Sequence, residues 1–229
     1  MNKTFKTGTP LLLVSIMSLP LMATQDFLEV DSFVGIELGT GMTGKVMCGN
    51  QNTVTITANK KVLDKLEVTV KGGHLEISRN TSASNILNNI FGDDEKKEDN
   101  SISVVIETSS PLSKIVGSTG SMIDVVDCAV NSSLIKVEAG TGANINVEGA
   151  TQTLELDLST GSVFNGSSRQ FTVDTANVDM STGSSANLCG ASTITGDAST
   201  GAEIKASEDA FTDEVSLSFS AEIHKNDCR

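Results

Sequence analysis

Four acidic residues recur at one fixed offset in this chain. Glu138, Asp157, Asp179 and Asp197 each lie four residues before the last glycine of a Ser/Gly-Thr-Gly tripeptide. A carboxylate accepts hydrogen bonds, donates none, and is a hard oxygen ligand. If the segments bearing these residues stack in register, the four form a column on an outward face. Like charges facing one another in a ladder destabilise it by about a few tenths of a kcal/mol. Such a column favours a bound cation such as Ca²⁺, or ordered counterions. The simpler alternative is a solvated acidic face that aids solubility and discourages edge pairing. Four residues after the same glycines stand Asn146, Asn165 and Asn187. With Ser159, Ser181 and Ser199 they are expected to complete a polar surface able to hydrogen-bond a ligand.

Catalysis needs convergent groups, and the sequence offers few. The two histidines, His74 and His224, fall in a turn and near the C-terminus and read as solvated residues. No nucleophile elbow, phosphate loop or metalloprotease helix is present. A polysaccharide lyase or hydrolase would need paired carboxylates or a basic clamp. Lys114, Lys136, Arg169 and Lys205 are too scattered for a clamp. There is no Trp or Tyr to serve as a sugar platform. The chain therefore reads as a non-enzyme.

The elements that must position the columns are strands. The tripeptide occurs at Ser118-Thr119-Gly120, Gly140-Thr141-Gly142, Ser159-Thr160-Gly161, Ser181-Thr182-Gly183 and Ser199-Thr200-Gly201, with a degenerate copy at Gly39-Thr40-Gly41. Directly after the glycine comes a small residue: Ser121, Ala143, Ser162, Ser184 or Ala202. Two further on comes Ile123, Ile145, Phe164, Ala186 or Ile204. Small, variable, apolar, polar, apolar is a strand with one buried face. A period near 20 is too short for a propeller blade and fits one coil of a β-solenoid. The glycine is expected at a corner with positive φ. A β-sandwich is the competing architecture, but it has no reason to repeat a tripeptide.

Upstream, the strands read differently. Phe27–Leu38, Asn52–Thr57 and Leu66–Val70 alternate, and Lys71-Gly72-Gly73-His74 is a hairpin turn. This is an N-terminal β-sheet portion leading into the solenoid. Residues 80–100 break the pattern and read as an exposed loop or insert.

The chain has 229 residues and a formal charge of −13. Lys3 and Lys6, an apolar run from Leu11 to Met22 and the small Ala23 have the order of a secretory signal peptide, so 1–23 is expected to be removed. That removal takes the charge from −13 to −15. So acidic a surface disfavours nucleic acid and anionic membranes. No later run is long and apolar enough to span a bilayer. An exported chain with four cysteines favours two disulfides. Three connectivities are possible. Cys48 and Cys128 follow their corner glycines by seven and eight residues, which puts them at similar corners, so Cys48–Cys128 with Cys189–Cys228 is the preferred set. Free, buried cysteines are the alternative.

Three stretches carry a family resemblance: Phe33-Val34-Gly35-Ile36-Glu37-Leu38, Leu63 through Ile77, and Val104-Val105-Ile106 leading to Pro111-Leu112-Ser113-Lys114-Ile115 and Gly117-Ser118-Thr119-Gly120. In this order they resemble the putative auto-transporter adhesin, head GIN-domain family of bacterial envelope proteins, over about residues 27–223. The resemblance implies a right-handed β-helix and an extracytoplasmic location, periplasmic or at the cell surface. The whole of 24–229 is then one domain. The function expected is a non-catalytic interaction module of adhesin type, binding a surface protein or a glycan. A carbohydrate-active enzyme and a structural envelope protein are the alternatives. No cofactor is expected, apart from Ca²⁺ at the acidic column.

Overall fold

A computed structural model describes residues 24–79, 100–126, 129–166, 171–225 and 228. The expected signal peptide (1–23) and nearly all of the expected insert (80–99) lie outside these residues, as does Cys128.

The strands in chain order are β1 (Thr24–Glu29), β2 (Gly35–Leu38), β3 (Met42–Cys48), β4 (Thr53–Ala58), β5 (Leu66–Lys71), β6 (His74–Arg79), β7 (Ile102–Thr108), β8 (Lys114–Gly117), β9 (Met122–Val125) and β10 (Asn131–Ala139). They continue as β11 (Asn144–Val147), β12 (Gly149–Leu158), β13 (Val163–Asn165), β14 (Phe171–Met180), β15 (Ser185–Leu188), β16 (Ala191–Ala198), β17 (Glu203–Ala206), β18 (Phe211–Leu217) and β19 (Glu222–His224). One short helix, α1 (Lys60–Leu63), follows β4, and its first turn is capped by the Asn59 side chain accepting from Val62 N–H.

From β8 onward each coil has two strands, one in each of two facing sheets. Even-numbered strands β8 to β18 stack in parallel in one sheet, and odd-numbered strands β9 to β19 stack in parallel in the other. This is a flattened β-solenoid. The Thr-Gly site is the corner between the two strands of a coil. In it the residue after the glycine donates back to the first residue of the tripeptide, as in Ser162 N–H to Ser159 O at 3.1 Å. Gly120, Gly142, Gly161 and Gly183 take φ of 63–66°, open to glycine at no steric cost. Corners also bond to one another: Gly142 N–H donates to Thr160 O and Gly161 N–H to Thr182 O, both at 3.0 Å.

Two features depart from expectation. First, coil order is not chain order. The β2–β3 coil, with its Gly39-Thr40-Gly41 corner, lies between β6–β7 on one side and β8–β9 on the other. Second, the alternating run Phe27–Leu38 is two strands in different sheets. β1 is an outer antiparallel strand, exposed along its whole length, while β2 is buried. At this end β1 pairs antiparallel with β4, β4 with β7 and β5 with β6, and the predicted hairpin joins β5 to β6 with Gly72 and Gly73 both at positive φ.

The core runs the length of the stack as vertical columns. Ile123, Ile145, Phe164, Ala186 and Ile204 form one, all fully buried. Phe164 meets Phe171 edge to face at 6.0 Å. Each aliphatic side chain so buried stabilises the fold by about 1.5–3 kcal/mol.

Candidate functional site

Alternation along β12 points Leu154, Leu156 and Leu158 inward and leaves Glu155 and Asp157 on the outer face of the even-numbered sheet. Parallel pairing then fixes the neighbours. Glu138 faces Asp157, Asp157 faces Asp179, and Asp179 faces Asp197. The predicted acidic column therefore exists, at the ordinary strand spacing of about 4.8 Å.

It extends further than the four residues. Across Val116 the row continues to Glu37 and then Glu76. Glu37 had a signal in the sequence, since it lies four residues before Gly41. Glu76 had none, because no Thr-Gly corner follows β6. Only Glu138 has cationic partners among the described residues: Lys136 Nζ at 3.0 Å and Lys114 Nζ at 3.1 Å. Partial burial works to raise the Glu138 pKa, but the hydrogen bonds and charge of Lys136 and Lys114 outweigh it and hold the carboxyl below its ordinary value. The same pairing raises Lys136.

The asparagines lie elsewhere. Asn146, Asn165 and Asn187 stack on the outer face of the odd-numbered sheet, across the core from the acidic row. The expectation of one continuous polar surface is thus corrected: two sheets separate the columns. The amides also spend their capacity on one another. Asn165 Nδ2 donates to Asn146 Oδ1 at 2.9 Å, and Asn146 Nδ2 to Asp124 Oδ1. Asn187 Oδ1 accepts from Cys189 N–H at 3.3 Å. An amide has both donor and acceptor, so a stack of amides closes on itself.

Beside the acidic row, the exposed threonines Thr40, Thr119, Thr141, Thr160, Thr182 and Thr200 line the corner. Where sheet face and corner meet, shallow furrows run along the stack. One of about 390 Å³ is bordered by Thr40, Thr119, Glu138, Asp157 and Ser159. The next, about 290 Å³, is bordered by Lys136, Glu155, Asp157, Asn177, Asp179 and Asp197. Asp157 borders both. Farther across the face, Thr153, Thr175 and Thr193 form a hydroxyl row.

The face is a linear array of acceptors and hydroxyls. Among the described residues, no three His, Cys, Asp or Glu side chains converge to hold a metal ion. A cation on the row would meet neighbouring carboxylates in pairs and complete the six to eight oxygens Ca²⁺ prefers with water. His74 is exposed, and His224 Nε2 lies 3.5 Å from Glu222 Oε2. Cys189 and Cys228 are disulfide-bonded with Cα atoms 5.5 Å apart. Cys48 is also in a disulfide.

Comparison with known proteins adds a frame. A family model described as putative auto-transporter adhesin, head GIN domain, matches residues 32–210. No curated protein matches the chain. Three crystal structures share the fold. One is of a protein described as a putative adhesin from Bacteroides fragilis, 14% identical, covering 89% of this chain and 94% of that one, with a TM-score of 0.56. A second, described as a putative lipid binding protein from Parabacteroides distasonis, is 14% identical over 89% and 96%, also with a TM-score of 0.56. A third, described as a putative adhesin from Parabacteroides merdae, is 11% identical over 89% and 96%, with a TM-score of 0.53. At such identity the likeness speaks for the fold alone.

Proposed function

The chain belongs to the putative auto-transporter adhesin, head GIN domain family, and from that premise we propose that it is a non-catalytic, extracytoplasmic interaction module that engages its partner through the acidic face of the even-numbered sheet. One observation carries the reading. Asp157, Asp179 and Asp197 stand in register on an open furrow, and carboxylates cannot satisfy one another as amides do. Their acceptors and charge are free for a partner's donors. Exposed corner threonines supply hydroxyls alongside, which suits the hydroxyl-rich surface of a glycan or the polar surface of a protein. The flat, repetitive form suits a long shallow contact better than a small-molecule pocket.

The test is binding of purified protein to a glycan array and to whole cells, with the Asp157→Asn/Asp179→Asn double variant beside it. Loss of signal in a variant of unchanged fold supports the reading. Equal binding by both proteins would sink it. Calcium is proposed as an accessory ligand of the same row: it should raise the Tm of the wild type and not of the double variant. A shift of equal size in both removes calcium alone from the proposal. A tagged copy found outside the cytoplasm supports the location, and one retained inside overturns it.

A further inference from the structure

The two ends of the solenoid are built differently. The end near β1 finishes in β1 and β5, outermost strands that run antiparallel to their neighbours. The other ends in β18 and β19, the outermost strands of their sheets. After β19 the chain turns back along the stack: Lys225 Nζ donates to Ala210 O, and Cys228 is bonded to Cys189. The end face stays uncovered by the described residues. Leu217 is 45% exposed and Phe219 80%, and the core-directed Val215 and Ile223 are only partly buried.

The last corner keeps the hydrogen bonds of an inner one. Ser218-Phe219-Ser220 occupies the place of Ser-Thr-Gly, Gly201 N–H donates to Phe219 O at 3.0 Å, and Ala221 N–H donates to Ser218 O at 3.2 Å. Phe219 and Ser220 hold φ of 48° and 64°, a conformation costly for residues with a Cβ. The final coil is thus shaped to receive another strand. On its inner side β18 pairs with β16 in unbroken register over Glu214–Leu217, after a register shift between Thr193 and Thr195.

Charge selects the occupant. Asp213, Glu214 and Glu222, with Glu208 and Asp209 on the neighbouring loop, are all exposed, and the basic side chains on the last strands among the described residues are Lys205, His224 and Lys225. Two such ends would repel each other, and so would two copies of a chain carrying −13. Edge charges keep out neutral and acidic strands but admit a basic one.

We propose that this open end accepts an extended segment of another protein, alternating apolar residues with Lys or Arg, by strand addition to β18. The proposal does not rest on the acidic face as a binding site.

Synthetic peptides test it: alternating Val-Lys and Val-Glu octamers titrated against the full chain. The Val-Lys peptide should bind, with affinity falling as salt rises. Asp213→Lys/Glu214→Lys should weaken it about tenfold or more. Phe219→Asn, which tolerates positive φ, should weaken it with the fold intact. Asp157→Asn/Asp179→Asn should leave it unchanged. Three results overturn the proposal: no preference for Val-Lys over Val-Glu; binding lost in the Asp157/Asp179 variant but kept in the Asp213/Glu214 one; or self-association of the wild type abolished by Phe219→Asn, which would make a second copy the occupant.

Discussion

The two outer faces of the solenoid carry ladders of nearly the same shape and opposite chemistry. On one, Asn146 and Asn165 join each other and Asp124 through side-chain amides. On the other, Asp157, Asp179 and Asp197 stand at the same spacing with nothing to exchange. Stacking multiplies whatever a side chain brings. Amides acquire a chain of bonds, and carboxylates acquire a line of charge. The first is a structural device, and the second needs something from outside.

Exchanging the two chemistries should have effects of opposite sign. Asn165→Asp removes the donor to Asn146 Oδ1 and sets a charge against a partly buried acceptor. It should cost about 1–3 kcal/mol, read as a lower urea midpoint with unchanged slope. The mirror change, Asp179→Asn, relieves repulsion from both neighbours. It should add about 0.2–1 kcal/mol in the same measurement. If both substitutions moved the midpoint in one direction, the contrast would be wrong. Smaller still, added salt should stabilise the wild type more than Asp179→Asn, because screening acts on the charge line.

The smallest effect concerns the one neutralised rung. The folded-state pKa of Glu138 is depressed. Its contribution is therefore present above the unfolded-state value and lost as pH falls through the depressed one. Lys114→Ala/Lys136→Ala should move the Glu138 midpoint upward, visible in its carboxyl NMR titration. An unmoved midpoint would mean the lysines do not hold that carboxylate in solution.

Much of this was legible in the sequence, because a repeat places equivalent residues at equivalent offsets. The column from Ile123 to Ile204, the corner glycines and the row from Glu138 to Asp197 all followed from the offset alone. What escaped depended on contacts that no offset encodes. Nothing in the spacing of Asn146 and Asp157 says that they lie in different sheets; that follows from where the chain turns. Ser218-Phe219-Ser220 was hidden because neither Thr nor Gly is present, though the backbone holds the corner shape. Leu28 and Val30 alternate with Glu29 and Asp31 as a half-buried strand would, yet β1 lies outermost and leaves Phe27 63% exposed. The helix α1 is a single turn, too short for a helical period to be seen.

The placement of β2–β3 between β6–β7 and β8–β9 has a consequence for how the molecule is made. Each later coil, from β10–β11 on, can add to the one before it as soon as it is synthesised. The β2–β3 coil gains its flanks only when segments up to about sixty and eighty residues downstream have arrived, β7 ending at Thr108 and β9 at Val125. Closing loops of that length is entropically costly and slow. Assembly should therefore nucleate among the sequential coils or wait at this early one. In a chain emerging from its N-terminus, residues 35–48 would stay without both neighbours until Val125 is free.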